Sequence, residues 1–115
     1  MDEKREERGV QNPKVIDLIA FDGDAGEVVL SMIEERAWGA APDQIKQIED
    51  KFNSYLAFVQ AGHLTREYPQ YEGVPVVIRL DCAEPPGGQE EAFLAAVTNF
   101  AAGENIRFLV EITPA

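Results

Sequence analysis

Few residues in this chain are of a type that does chemistry. Asp17 and Asp81 are the best carboxylate pair. Two carboxylates in one pocket can divide the labour, one as acid and one as base, which would suit a small hydrolase. Arg79 and Arg107, predicted on the same sheet face, would instead hold both ionised in structural pairs. Cys82 and His63 are the single cysteine and the single histidine. They make a conceivable nucleophile and base, since such partners need not be sequence neighbours. Nothing local supports that pairing: a cysteine at a strand end usually packs as a small apolar residue. A histidine just after a helix is favoured there by the helix dipole. The run Asp22-Gly23-Asp24-Ala25-Gly26 resembles the start of a calcium loop, but the later acids and the terminal glutamate are missing. It reads better as a turn. With one cysteine, one histidine and scattered acids, no metal-ligand spacing is present, and neither metal nor cofactor is expected. Gly87-Gly88 opens a helix, yet Glu84, Glu90 and Glu91 crowd that end against a phosphate. The sequence therefore leans away from an enzyme.

The elements that must position these residues follow from pattern. Val15–Phe21 and Glu27–Glu35 read as strands joined by the glycine-rich turn, an antiparallel hairpin. Pro42 and Asp43 open an amphipathic helix carrying Ile45, Ile48, Phe52, Tyr55, Leu56 and Val59 on one side, stopped by Gly62 in the left-handed conformation. Residues 63–73 read as an irregular connection. Val74–Cys82 is a third strand, with Pro75 confined to its start or to an edge. Gln89–Ala102 is a second helix with a stripe of Ala92, Phe93, Ala96, Val97 and Phe100 and a stop at Gly103. Ile106–Ile112 is the last strand. The order ββαβαβ predicts an α+β or α/β two-layer sandwich. It has a four-stranded mixed sheet, both helices on one face, and the last two strands parallel.

Alternation divides the sheet into two faces. One, with Ile16, Leu18, Ala20, Val28, Leu30, Met32, Val76, Ile78, Leu80, Ile106, Phe108, Val110 and Ile112, is wholly apolar and belongs under the helices. The other mixes Asp17, Ile19, Phe21, Val29, Ser31, Ile33, Val77, Arg79, Asp81, Arg107, Leu109 and Glu111. A face both apolar and charged marks an interaction surface, either a homodimer interface or a platform for a protein partner. The alternative is that the connections at 36–41 and 63–73 fold across it. Arg36, Trp38, His63, Tyr68 and Tyr71 offer a possible recognition edge of the kind found at interface hot spots. Against this, Trp38 would simply cover the junction of sheet and helix.

Charge narrows the partners. The 115 residues hold 10 Lys and Arg against 21 Asp and Glu, a net charge of -11. Residues 1–14 carry equal numbers of acids and bases, so the whole excess belongs to residues 15–115. That excludes a phosphate-backbone binder and disfavours an anionic membrane, because both need clustered Lys and Arg. It suits an immunity-like or inhibitor protein that blocks a basic partner. Residues 1–14 have almost no apolar side chains and are expected to form a disordered charged tail before a single domain at 15–115. No segment approaches a membrane span or a signal peptide, and the cysteine count fits a reducing, cytoplasmic compartment.

Two stretches, Val15–Trp38 (VIDLIAFDGDAGEVVLSMIEERAW) and Gln47–Leu64 (QIEDKFNSYLAFVQAGHL) with Tyr68-Pro69 after it, together resemble a family of small uncharacterised bacterial proteins built on one short domain of unknown function. The resemblance covers about residues 14–113. It implies a bacterial cytosolic protein and brings no active site with it.

Overall fold

A computed structural model describes residues 9–13 and 15–113. The chain runs β1 (Leu18–Asp22), β2 (Glu27–Glu34), α1 (Gln44–Gln60), α2 (His63–Glu67), a 3-10 turn (Pro69–Tyr71), β3 (Val76–Cys82), α3 (Gly88–Gly103) and β4 (Arg107–Ile112). The strands form one mixed sheet in the order β1-β2-β3-β4. β1 and β2 are antiparallel; β2, β3 and β4 are parallel. The predicted architecture is the observed one, with α2 added in the connection expected to be irregular.

The hairpin turns on Asp22. Its Oδ1 accepts hydrogen bonds from the backbone N–H of Asp24 (3.1 Å) and Ala25 (3.2 Å), and its carbonyl accepts from Gly26 N (2.8 Å). Gly26 completes the turn at φ 69°, a conformation that side chains resist. The carboxylate that suggested a calcium loop is thus committed to the turn itself.

The helix layer sits over one face. Ile48, Phe52 and Leu56 of α1 and Leu94, Val97 and Ala101 of α3 share one buried cluster with Val28, Leu30, Met32, Ile78, Leu80 and Phe108 of the sheet. Phe52 anchors it, meeting the ring edges of Phe108 (5.6 Å between centroids) and Phe100 (6.3 Å). α1 ends as expected at Gly62 (φ 82°), and His63, the first residue of α2, stacks on Phe58.

The structure corrects three sequence expectations here. The buried stripe of α3 is Leu94, Val97 and Ala101; Phe100 stays 52% exposed. Alanines on every side blur the periodicity of this helix, so its apolar face is poorly marked. Gly103 does not break α3. The left-handed residue is Asn105 (φ 63°), with Asn105 N donating to Ala102 O and Ile106 N to Ala101 O, a Schellman closure. The asparagine side chain tolerates that conformation.

The third correction concerns β1. Ile19 lies across from Leu30 and Phe21 from Val28, while Leu18 lies across from Ser31 and Ala20 from Val29. Asp17, Ile19 and Phe21 therefore belong to the helix side, and Leu18 and Ala20 to the other. The phase is the reverse of the one expected from VIDLIAF. Apart from Asp17 both phases of that run are apolar, so the carboxylate alone set the expected phase, and its burial against Lys51 reverses it.

The expected disordered tail also changes. Residues 1–8 and Lys14 lie outside the described residues, but Gly9 and Val10 are buried, and Val10 belongs to the core. Val10 N donates to Ile33 O at 3.0 Å, fastening this segment beside β2.

Candidate functional site

The open face carries Leu18, Ala20, Val29, Ser31, Ile33, Val77, Arg79, Asp81, Arg107, Leu109 and Glu111. Leu18 is 46% exposed and Leu109 38%. The connections that could have folded over it pack elsewhere: Trp38, Tyr68 and Tyr71 lie against the helix-side core. The charges are laid out in pairs. Arg79 Nε sits 2.9 Å from Asp81 Oδ1, an ion pair without hydrogen-bond geometry, while Nη2 reaches Asp81 Oδ2 and Ser31 Oγ at 3.3 Å. Arg107 Nη2 lies 3.0 Å from Glu27 Oε1. Val77 and Ser31, at the centre of this face, are buried beside these arginines.

Asp17 belongs to a different assembly. It pairs with Lys51 Nζ at 2.9 Å, both side chains fully buried. Its other contacts are backbone amides: Gly9 N donates to Oδ1 (2.8 Å) and Ile33 N to Oδ2 (2.9 Å). Lys51 Nζ also donates to the carbonyls of Gly9 (2.8 Å) and Asn12 (2.7 Å). Tyr55 OH accepts from Asp17 N (2.8 Å) and donates to Ser31 O (2.6 Å). Burial pushes the Lys51 ammonium below its usual value, opposed by the Asp17 carboxylate, and pushes the Tyr55 phenol up. Every polar group here serves another part of the chain, so the cluster is a lock holding residues 9–12 and β2 to α1. Asp17 and Asp81 thus lie on opposite faces of the sheet, which removes the geometric basis of a shared acid and base.

A second buried carboxylate stands at the end of β2. Glu34, 1% exposed, accepts from Arg36 Nε (2.9 Å), Nη2 (2.7 Å) and backbone N (2.9 Å), while Arg36 Nη2 also reaches Gln47 Oε1 (2.8 Å). Burial alone would raise the Glu34 carboxyl, but the Arg36 hydrogen bonds, with Gln44 adding, hold it below the ordinary carboxylate value. Nearby, a cleft of about 450 Å³ is lined by Ile33, Glu34, Glu35, Asp81, Cys82, Ala83 and Thr113. Ligands often bind at this end of parallel strands. Here Glu34 and Asp81 are already committed to Arg36 and Arg79, and burial, together with Asp81 and Glu34, pushes the thiol up.

Cys82 is thus kept protonated as well as shielded. Native protein at pH 8 is expected to react with a disulfide reagent at least about a hundredfold more slowly than the urea-unfolded chain. Equal rates would mean the cleft activates this thiol.

The predicted recognition edge does not assemble. Arg36 and Trp38 follow the C-terminal end of β2, where Trp38 Nε1 donates to Glu84 O at 2.8 Å. Tyr68 and Tyr71 lie at the opposite end, Tyr71 stacked on Phe21 at 6.1 Å between centroids. His63 follows α1 at that same end and contacts Arg66 Nη1 through Nδ1 (3.1 Å), far from any partnership with Cys82. The long helix between them carries the chain the length of the sheet. Among the described residues, no group of acids, cysteine and histidine is placed to hold a metal, and no helix is long and apolar enough to cross a membrane.

Sequence reasoning missed Lys51. It sits between Ile48 and Tyr55 on the apolar stripe of α1, and a lysine there announces a buried carboxylate somewhere in the core. One family model, described as a family of unknown function, matches residues 8–114. Comparison with curated proteins and with solved structures gives no match.

Proposed function

The chain belongs to DUF6572, a family of unknown function, and from its structure alone we propose a non-enzymatic interaction and assembly module that forms a homodimer through the open face of its sheet. The observation that carries the reading is that face. Its rim is exposed at Leu18 and Leu109, and it offers apolar side chains interleaved with both signs of charge. A second copy of the chain matches such a surface because it brings the same arginines and carboxylates in complementary positions. The reading extends to a bacterial cytoplasm, where the single thiol stays reduced.

Light scattering from low to high micromolar concentration tests it. A mass approaching twice 12.7 kDa is expected; a monomer throughout the range overturns it.

The net charge of -11 favours a second reading, an immunity-like protein binding a basic partner. That complex would associate more slowly as salt rises and would survive substitutions on the open face.

A further inference from the structure

We propose that two copies join edge to edge along β4, in antiparallel register with the two-fold axis at Leu109, so that their open faces merge into one continuous sheet. This inference rests on the homodimer reading above but moves the joint from the face itself to its β4 edge, which leaves the merged open face uncovered in the dimer.

Among the described residues β4 is a terminal strand of the sheet, paired on one side only. Edge strands present a row of unpaired N–H and C=O groups, and natural proteins cover, twist or charge them when they are not used. β4 carries one charge of each sign, Arg107 and Glu111, and between and beyond them it exposes apolar side chains. Leu109, Val110 and Ile112 are half of the large apolar side chains exposed among the described residues, and Ile112 is 46% exposed. Val110 and Ile112 face the helix side yet stay exposed, and Leu109 faces the open side. An unpaired β4 therefore wets apolar surface on both faces.

The backbone decides which residues can pair outward. Thr113 N donates to Cys82 O, and Cys82 is the register partner of Ile112. In a parallel ladder, residues bonded to the neighbour alternate with residues facing away. The odd-numbered residues of β4 thus bond to β3, and Phe108, Val110 and Ile112 turn their N–H and C=O to the free edge. An antiparallel copy must then match even residues with even and odd with odd.

Charge selects one register from that set. With the axis at Leu109, Arg107 of each copy lies across from Glu111 of the other. The two Leu109 side chains meet as a non-hydrogen-bonded pair, and Phe108 pairs with Val110 through backbone bonds on both sides of the axis. Moving the register by two residues either way leaves Leu109 facing a charged side chain or leaves both charges without an opposite. Opposite charges directly across a strand pair stabilise it and like charges destabilise it. Arg107 is 59% exposed and uses one nitrogen on Glu27, so its remaining donors are free to take the second carboxylate.

Charge reversal and its compensation test the register. Glu111→Arg sets arginine against arginine twice across the axis. Sedimentation should show dimer affinity reduced by about tenfold. Adding Arg107→Glu restores opposite pairs and should return affinity to within about threefold of the original. Because the double variant carries both substitutions, its recovery excludes misfolding as the cause of the loss. A double variant no tighter than the single one overturns the register. A second measurement uses Leu109→Cys in a Cys82→Ala background. The Cα atoms of a non-hydrogen-bonded pair lie about 4.5 Å apart, within disulfide range, so mild oxidation should give a covalent dimer. Leu18→Cys in the same background, at the far edge of the face, should not cross-link. A wild-type dimer whose Leu109→Cys variant fails to cross-link, or whose Leu18→Cys variant does so, overturns the β4 joint while leaving the assembly reading intact. A wild-type monomer overturns both.

Discussion

Lys51→Met is expected to destabilise the fold by about 3–5 kcal/mol in urea unfolding at neutral pH, the usual cost of leaving one partner of a buried ion pair alone. The methionine would replace the stem of Lys51 in volume, so the loss reports the charge and not a cavity. What remains is a fully buried Asp17 carboxylate supported only by the amides of Gly9 and Ile33. The carbonyls of Gly9 and Asn12 lose the same donor. Residues 9–12 should then exchange their amide protons faster than the rest of the sheet, because Lys51 is their main tie to α1. The double variant Asp17→Asn/Lys51→Met removes the stranded charge and keeps an acceptor for one amide. It should recover at least about a third of the loss. If the double variant is as unstable as the sum of the two singles, the pair is not coupled and the lock is misread.

That lock explains why the N-terminal boundary was the least legible part of the chain. Composition marks residues 1–14 as charged and poor in apolar groups, and a short apolar anchor such as Val10 leaves no periodic trace. Its burial depends on Lys51, which lies 41 positions later in sequence. A sequence separation of 34 positions between Asp17 and Lys51 hid the phase of β1 in the same way. VIDLIAF is apolar on both alternations but for Asp17, which reads as an exposed residue unless Lys51 is already known to be buried. Strands β2, β3 and β4 were legible because each has one strictly apolar phase or a β-branched run between clear breaks. Of the mixed face, Val29, Ile33, Val77, Arg79, Asp81, Arg107 and Leu109 stand where alternation puts them, and only the β1 contributions exchange. The recognition edge failed for a topological reason. Residues near in composition and chain order were separated by a helix that spans the sheet.

Arg36→Met is the second large effect, and pH gives it a sign that sequence alone does not suggest. In the wild type the Glu34 carboxyl is held below the ordinary carboxylate value. Its stabilising contribution is therefore complete above that ordinary value, and it is lost as pH falls through the folded one. Removing the guanidinium leaves burial as the dominant influence, so the carboxyl rises instead and the variant gains relative stability when Glu34 is protonated. The cost of Arg36→Met should be about 2–4 kcal/mol at pH 7, the lower end reflecting the partial exposure of Arg36. It should shrink to under about half of that near pH 4, where the stranded carboxylate can take up a proton. Urea titrations at the two pH values measure this directly. Glu34→Gln/Arg36→Met, which has no carboxylate to strand, should show a nearly pH-independent difference from the wild type over the neutral range and sit above the single variant in stability at pH 7. A cost for Arg36→Met that is equal at both pH values would mean that packing of the arginine stem, and not its charge, holds the end of β2.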